Sequence, residues 1–475
     1  MTTRATGPYI GGKQREAKTR VAIRNPYDMS IVGEVGLGDA DDLEAAIAGA
    51  AVAFKTWSRS ATHERALTLE KLALSIEAEQ AELARLICCE SGKPIRYARA
   101  EVARAVSTFR LGAAEARMVG GEVLPSDQLP GAEGRLTLFR RVARGPVAGI
   151  SPFNFPLNLV AHKLAPALAV GAPLVLKAAP QAPLTAHRLA ELATAAGAPP
   201  HAFNVLHLLP EVAERLATDP RLPVLSFTGS DGVGWHLQGV AQRKHVLLEL
   251  GGNAPCLIDE TVDLEALLPR VVEASFASAG QVCIKAQRVF VVRERFDEFL
   301  ERFVALTRAL PIGDPADERT VVGPLIESRH VTRVLSWVEE ATQGGARLLT
   351  GGKADGNVVE PIVLTGTSPT QRVCKDEIFG PVTVVEAVDS FEAGIAACNA
   401  SRFGIQAAVF TRELGRALTA FRELEFPGVL INDAPTFRVD NIPYGGVRDS
   451  GMGREGVRFA IEELTEPKLL SLRDL

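Results

Sequence analysis

The chain has 475 residues, of which 47% are apolar, and its formal net charge is −5. This length corresponds to two or three domains of roughly 100–200 residues, and the charge balance excludes the basic footprint of a nucleic-acid-binding protein and an acidic tail. Six cysteines are too few for a disulfide scaffold, and no apolar run approaches ~18 residues, so we expect a cytoplasmic protein without a membrane span.

The first predicted elements are helices. Residues 43–57 place large apolar side chains on one helical face, and Asp39 or Asp41 is suited to cap that helix. A longer helical stretch is predicted from about residue 62 to residue 90, because Gly92 follows it as a stop signal. A further helix follows.

From residue 147 onward, short apolar strands alternate with helices. The strands VAGI, PLVLK, FNVLH, PVLSF and HVLLEL are separated by helical segments, and a second alternating region covers about 254–435. This rhythm predicts an α/β fold with parallel sheets that carry helices on both faces. Two further segments, near 134–145 and at 465–475, read as strands that belong to neither sheet.

A glycine-rich motif near the end of the chain has the wrong context for a nucleotide site. GMGREG at 451–456 matches G-x-G-x-x-G, but no strand leads into it and too few residues follow for a βαβ unit. We therefore interpret it as a flexible loop and helix start. A better candidate is VLSFTGSDGVG, where Gly229 and Gly234 follow a strand and open a helix whose amides can face a pyrophosphate.

Two polar residues follow predicted strands in unusual surroundings. Asn154 lies among aromatics and prolines in SPFNFPLN, where it is a candidate oxyanion donor or a turn-forming residue. Glu249 ends a buried strand in LLELGGNAP, and a buried carboxylate needs either a task or an ion-pair partner. A third residue, Lys177, ends the strand PLVLK, where a cation reaches a dinucleotide ribose or remains solvated.

Cys283 and a later loop complete the set of candidates. A lone cysteine in ASAGQVCIKAQRVFVV is more often an inert apolar residue than a nucleophile. KDEIFGPV puts Glu377 and Phe379 in a loop before a strand, which alone is an ordinary turn. Only the combination of these stretches is informative.

PFNFP, FTGS, LELGG, GQVC, EIFGP and IPYGGVRDSGMGREG occur in one order over nearly the whole chain. In order and spacing they resemble the motifs of the NAD(P)-dependent aldehyde dehydrogenase superfamily. The resemblance implies that Cys283 is the nucleophile that forms a thioester, that Asn154 and the Cys283 backbone N–H hold the oxyanion, and that Glu249 activates water. It implies no metal.

The same resemblance assigns the cofactor residues. It implies that Glu377 holds the nicotinamide ribose with Phe379 packed beside it, that Gly229 and Ser230 lie near the pyrophosphate, and that Lys177 lies near the adenosine ribose. NAD-preferring relatives often have Glu three residues after this lysine, whereas this chain has Pro180. Without a carboxylate to repel a 2′-phosphate, we expect NADP to be accepted, with NAD use also open.

The family likeness also implies a domain organisation. An NAD(P)-binding domain is expected over 1–117 and 146–250, and a catalytic domain over 251–440. A β-strand oligomerisation arm is expected over 118–145 and 456–475, which would join subunits into homodimers or homotetramers.

The pattern also resembles that of family members that act on small anionic or hydroxylated aldehydes, which implies a substrate pocket with Arg110 on a helix, His162 after PFNFP and Arg438 in a loop. An arginine fork suits a carboxylate, phosphonate or phosphate, so we expect a short aliphatic aldehyde with a polar or anionic far end. Succinate semialdehyde is the first candidate, with lactaldehyde and phosphonoacetaldehyde as alternatives. The competing interpretation is that Arg110 is a solvated helix residue and His162 a core histidine.

Two other functions stay open. An acylating enzyme would pass the thioester to coenzyme A, but acylating relatives commonly lack the base that Glu249 would supply. A catalytically inactive structural relative would be suggested by loss of Cys283 or Glu249, and both are present.

Overall fold

The structure is a computed structural model that describes residues 4–473. No helix in this range is both long and apolar enough to cross a membrane. The helices are α1 (Ala40–Trp57), α2 (Thr62–Ala78), α3 (Gln80–Ser91), α4 (Ile95–Met118), α5 (Asn158–Val170), α6 (Leu184–Ala195), α7 (Pro210–Ala213), α8 (Arg215–Thr218), α9 (Asp231–Val240), α10 (Leu264–Phe276), α11 (Arg293–Arg308), α12 (Ser328–Gln343), α13 (Arg372–Lys375), α14 (Phe391–Asn399), α15 (Leu414–Glu423) and α16 (Val457–Leu464).

The strands are β1 (Arg4–Thr6), β2 (Tyr9–Ile10), β3 (Lys13–Gln14), β4 (Arg20–Arg24), β5 (Ile31–Gly36), β6 (Gly121–Leu124), β7 (Arg135–Ala143), β8 (Val147–Ile150), β9 (Leu174–Lys177), β10 (Phe203–Leu206), β11 (Val224–Thr228), β12 (His245–Glu249), β13 (Ala254–Ile258), β14 (Ala286–Val292), β15 (Arg347–Thr350), β16 (Ala354–Asp355), β17 (Val358–Val359), β18 (Ile362–Thr365), β19 (Val382–Val388), β20 (Phe403–Gly404), β21 (Gln406–Phe410), β22 (Gly428–Ile431), β23 (Val447–Arg448), β24 (Gly451–Met452) and β25 (Thr465–Arg473). A short 3₁₀ turn, Ala277–Gly280, precedes β14.

The first sheet has the strand order β24-β12-β11-β8-β9-β10-β2-β3. Strands β8 to β12 pair in parallel, and their apolar side chains are largely buried because helices cover both faces. The chain runs outward from β8 to β10 and then returns to place β11 on the other side of β8. Such a reversal opens a crevice at the carboxyl ends of the strands, where ligands bind.

The second sheet has the order β15-β18-β19-β14-β13-β21-β22, and all its neighbours pair in parallel except the edge strand β15. Its two faces carry separate apolar clusters under the helices. A mixed α/β fold with two mainly parallel sheets is therefore confirmed.

The two orphan strands of the sequence form a third sheet with the order β25-β7-β6. Strand β25 pairs antiparallel with β7 from Thr465 with Ala143 to Arg473 with Arg135. Several apolar side chains on this sheet are exposed, including those of Val123 and Leu469. The pairing of the two segments agrees with the predicted arm, whereas the domain boundaries and the assembly stay predictions.

Three local predictions need correction. The helix expected over 62–90 is broken at Glu79, which leaves helical φ/ψ and accepts hydrogen bonds from Arg188 of α6. The helix expected after FNVLH is two short turns, α7 and α8. GMGREG is not only a loop and helix start, because its Gly451 and Met452 form the edge strand β24 against β12.

Candidate active site

Cys283 lies in the tight connection between the 3₁₀ turn and β14. Ser278, Ala279 and Gly280 all have positive φ, which folds this connection back on itself. A Cβ on Gly280 would lie 2.3 Å from the Gly380 carbonyl oxygen, so only glycine allows the loop to pack this closely. The Cys283 side chain is half-buried, and its Sγ lies 3.1 Å from the hydroxyl oxygen of Tyr444.

The Cys283 thiol is protonated in this environment. Burial raises the pKa of Cys283 to about 12, and the negative charge of Glu377 adds to this. The hydrogen bond with Tyr444 and the positive charge of Arg438 act in the opposite direction. Because the thiolate is the nucleophilic form, the groups that lower this pKa determine how readily the sulfur reacts.

Asn154 reaches the connection that carries Cys283 from the first sheet. It follows β8, and its side-chain amide nitrogen donates to the Gln281 carbonyl oxygen at 3.0 Å. An amide group has two N–H donors, so the second remains for an oxygen near Cys283. Gln281 is fixed in turn, since its side chain accepts from the Ile326 N–H at 3.0 Å.

Glu249 ends β12, and its side chain is buried. Its carboxyl group makes no hydrogen bond to any residue from 4 to 473. Burial raises the pKa of Glu249 well above its usual range, the neighbouring Glu455 raises it further, and Arg438 and Lys163 oppose both. Such a carboxyl group is a better base than an exposed one, because a raised pKa increases its proton affinity.

A buried cluster of charged residues lies behind Glu249. Lys163 of α5 lies 3.8 Å from a Glu455 carboxylate oxygen, and the other carboxylate oxygen of Glu455 accepts from Arg438 at 2.9 Å. Lys163 also donates to the hydroxyl groups of Ser226 and Thr228 on β11. Sequence reasoning missed Lys163, Glu455 and Tyr444, although the last two lie in the quoted motif IPYGGVRDSGMGREG.

Of the three predicted substrate residues, Arg438 is the one whose charge acts on the Cys283 thiol. Its guanidinium group stacks 3.6 Å from the centroid of the Tyr444 ring, and its side chain is only 7% exposed. Its Nε is buried without a hydrogen-bond partner among the described residues. An unpartnered buried donor is costly, and the protein leaves the Arg438 guanidinium group incompletely satisfied.

The structure does not support the predicted position of Arg110. Its side chain is 54% exposed and pairs with Glu77 of α2 at 2.7 Å on the outer side of α4. The same helix instead reaches the buried cluster through Arg104, which lies 2.6 Å from an Asp440 carboxylate oxygen and is 29% exposed. The prediction that Arg110 faces the mouth of the pocket is therefore wrong.

His162 is also not at the mouth of a pocket. Its ring is fully buried in α5, and Nε2 lies 2.8 Å from the same Asp440 oxygen. Burial and the nearby Arg438 lower the pKa of His162, so it is neutral at neutral pH rather than a ready positive charge. The structure favours the core-histidine interpretation, because the side chain is closed off from solvent.

The loop at the start of α9 was predicted to offer free backbone amides to a pyrophosphate, and only some of these amides are free. The Gly229 N–H donates to the Glu249 carbonyl at 3.1 Å, and the Gly234 N–H donates to the Ser230 carbonyl at 2.9 Å. These two amides are therefore not available to a pyrophosphate. The amides of residues 231–233 open the helix, where N–H groups lack acceptors in a preceding turn.

Glu377 and Phe379 lie beside the connection that carries Cys283. The Glu377 carboxylate accepts a hydrogen bond from the Gly252 N–H at 2.9 Å. Burial raises the pKa of Glu377 to about 7, although this hydrogen bond acts to lower it. Phe379 has a φ of 41° and packs edge-on against Phe153, with ring centroids 5.9 Å apart. The two loops are tied by Lys285, whose ammonium group donates to the Gly380 carbonyl at 2.8 Å and to that of Val382.

Lys177, which was predicted to lie near the adenosine ribose, ends β9, and His207 follows β10. Neither side chain forms a hydrogen bond or ion pair with any residue in the range 4–473, and Nδ1 of His207 is buried. Pro180 is exposed beside them. His207 was not predicted, since nothing in FNVLH distinguishes it before the strand order is known.

Comparison with known proteins identifies the family and the fold of the chain. The family model described as "Aldehyde dehydrogenase family" matches residues 13–470 of this chain. A 3-sulfolactaldehyde dehydrogenase of Priestia aryabhattai is 38% identical over 467 residues, which cover 98% of each chain.

Two solved structures have nearly the same fold. Aldehyde dehydrogenase 21 from Physcomitrella patens, in complex with the reaction product succinate, has a TM-score of 0.98 and 37% identity over 100% of this chain and 99% of that one. Glyceraldehyde-3-phosphate dehydrogenase GapN from Methanocaldococcus jannaschii, complexed with NADP, has a TM-score of 0.92 and 36% identity over 95% and 99%. The chain therefore belongs to the aldehyde dehydrogenase family.

Proposed function

We propose that this aldehyde dehydrogenase oxidises a short aliphatic aldehyde with an anionic or polar far end to its carboxylic acid, using NADP or NAD. The observation that carries the proposal is the approach of Asn154, which follows β8, and of Glu249, which ends β12, to Cys283 in the connection before β14. Asn154 bonds the loop of Cys283, and the charge of Glu249 acts on the Cys283 thiol.

Each of these groups has a task in the proposed reaction. The Cys283 thiolate attacks the aldehyde carbon, and the carbonyl electron pair moves onto oxygen. The second N–H of the Asn154 amide and the backbone N–H of Cys283 stabilise that oxyanion. NAD(P), when bound, supplies the hydride acceptor. Glu249 takes a proton from the water that hydrolyses the Cys283 thioester.

The residues at the carboxyl ends of the first sheet fit a dinucleotide. Lys177 and His207 are basic and unpartnered among the described residues, which suits the adenosine ribose or its 2′-phosphate. The amides at the start of α9 suit the pyrophosphate, with Gly229 and Ser230 beside them. Glu377 would hold the nicotinamide ribose, with Phe379 packed against it.

An anionic far end is supported by Arg438 and Arg104. Arg438 is one side chain away from Cys283, through Tyr444, and has an unpartnered Nε. Arg104 takes the place on α4 that we predicted for Arg110. The relatives add support, since one is named for a sulfonated aldehyde and another binds succinate, a dicarboxylate.

Succinate semialdehyde stays the first candidate, with lactaldehyde and phosphonoacetaldehyde as alternatives. The third sheet supports assembly into homodimers or homotetramers, because its exposed apolar residues would be covered by another subunit. We also propose the domain boundaries expected from the sequence for the NAD(P)-binding domain, the catalytic domain and the arm.

The deciding experiment measures reduction of each cofactor by absorbance with a panel of short aldehydes that differ only in the far group. We expect the highest kcat/KM for an anionic aldehyde, and poor turnover of bulky aromatic aldehydes. A rate that requires coenzyme A would identify an acylating enzyme, and no reduction with any aldehyde would indicate an inactive relative.

A further inference from the structure

Tyr444 makes the one polar contact of the Cys283 sulfur within residues 4–473. Its hydroxyl oxygen lies 3.1 Å from Sγ, and the side chain is buried. Two backbone bonds with Glu455 fix its position, since each residue's N–H donates to the other's carbonyl. The phenol is therefore held against the sulfur by the surrounding backbone.

The direction of this hydrogen bond depends on the state of the sulfur. A thiol can donate or accept, whereas a thiolate has no hydrogen and can only accept. Burial raises the pKa of Tyr444 well above its usual range, and the neighbouring Cys283 raises it further, so the phenol keeps its proton. When Cys283 ionises, Tyr444 must be the donor.

Arg438 reinforces this geometry from the other side of the ring. Its guanidinium lies 3.6 Å from the ring centroid and is anchored by Glu455 at 2.9 Å. A cation over an aromatic face is attracted to the ring and makes the phenolic proton more acidic, which strengthens its hydrogen bonds. The stack thus holds a polarised donor at the nucleophile.

We propose that Tyr444 is a further catalytic residue, whose hydroxyl donates a hydrogen bond to the Cys283 thiolate and stabilises it before attack on the aldehyde. The thiol proton leaves to water, the S–C bond then forms, and the carbonyl electron pair moves to oxygen. The Tyr444 proton stays on its own oxygen throughout. This inference rests on the proposed role of Cys283 as nucleophile.

The simpler alternative is a structural role, in which the Tyr444 ring packs in the core and the sulfur only satisfies the hydrogen-bonding need of its buried hydroxyl group. Both roles would affect stability, but only a catalytic role would change the protonation of Cys283. The informative readout is therefore the pH dependence of the rate at which iodoacetamide alkylates this thiol.

The test compares Tyr444→Phe with the wild-type protein. The variant removes one oxygen and keeps the ring beneath Arg438. We expect the pKa of Cys283 that this rate reports to rise by about 1, and the rate near neutral pH to fall roughly tenfold, because a hydrogen bond to a charged group is lost. Reduced cofactor should also form more slowly in the first turnover, while thioester hydrolysis stays unchanged.

Tyr9→Phe is the matched control. Tyr9 is equally buried, and its hydroxyl donates to the Thr194 hydroxyl at 2.9 Å, far from Cys283 in the fold. This variant should leave the alkylation profile unchanged. Cys283→Ser gives the background from the other cysteines, and normal activity of that variant would refute the proposed function rather than the role of Tyr444.

A second substitution covers the case in which Tyr444→Phe folds poorly. Replacing Tyr444 by 3-fluorotyrosine makes the phenol more acidic without removing it, so the alkylation pKa of Cys283 should move down instead of up. Superimposable alkylation profiles for wild type and the folded Tyr444 variants would overturn the proposal.

Discussion

Lys177 and His207 form an unpaired basic couple at the carboxyl ends of β9 and β10. The register pairs Leu206 with Lys177, so His207 is the first residue beyond the end of this pairing, close enough for the Lys177 charge to act on it. Burial lowers the pKa of His207 to about 4, and the Lys177 charge contributes to this. Burial also lowers the pKa of Lys177, and no carboxylate acts on either group. Two nitrogen-bearing side chains without a nearby carboxylate would favour an anion such as the 2′-phosphate of NADP.

The first prediction concerns cofactor choice. His207→Gln should weaken binding of NADP and of 2′,5′-ADP roughly tenfold, because a charge-assisted hydrogen bond is lost, and should leave NAD binding nearly unchanged. Isothermal titration calorimetry measures all three ligands. His63→Gln, which changes an exposed histidine of α2, serves as the control. A strong preference of the wild-type protein for NAD would contradict the prediction.

The same site predicts a pH effect. His207 is neutral near pH 7 because its pKa is lowered, and a bound phosphate would raise that pKa. NADP binding by the wild-type protein should therefore take up more protons than binding by His207→Gln, and the difference in affinity between the two should grow as the pH falls. Calorimetry in two buffers of different ionisation enthalpy measures this uptake. Equal proton uptake would show that His207 does not contact the phosphate.

Cys283→Ala should abolish aldehyde oxidation while leaving cofactor binding and the fold intact, because no other group nearby can form the thioester. Steady-state rates, calorimetry and circular dichroism check the three parts of this prediction. Cys89→Ala changes another half-buried thiol, on α3, and should have no effect. Retention of even a tenth of the wild-type rate would contradict the assignment of the nucleophile.

Glu249→Gln should slow release of the acid more than hydride transfer. Without a base for the hydrolytic water, rapid-mixing experiments should show a burst of reduced cofactor followed by slow turnover. The amide keeps the size of the buried side chain, so a folding defect is not expected. Loss of the burst itself would mean that Glu249 acts before the thioester forms.

Arg104→Gln and Arg110→Ala form a matched pair on α4. Arg104→Gln should raise KM for an anionic aldehyde by roughly tenfold or more, with little effect on a neutral aldehyde of equal length. Arg110→Ala should change neither value, because its partner is the exposed Glu77. The measurement is kcat and KM for both aldehydes. Equal effects of Arg104→Gln on the two substrates would show that the far end is read elsewhere.

Local pattern was sufficient for part of this protein. Strand and helix periodicity predicted the α/β fold, because the side-chain repeats of the two elements differ and are set by backbone geometry. The stretches around Cys283 and Glu249 were ambiguous one by one, and only the resemblance of six motifs in one order to a known family implied roles for these two residues. The periodicity depends on neighbours in sequence, so the fold class needed no knowledge of distant packing.

Other features depended on which faces of the elements meet. Arg104 and Arg110 are six residues apart, so they point roughly 120° apart around α4, and only the packing of that helix decides which one meets Asp440. His162 is enclosed because α5 is buried on all sides. The sequence determined the chemistry available to this protein, whereas the contact of Cys283 with Tyr444 and the closeness of Lys177 to His207 arose only from tertiary structure, since each joins residues from separate elements.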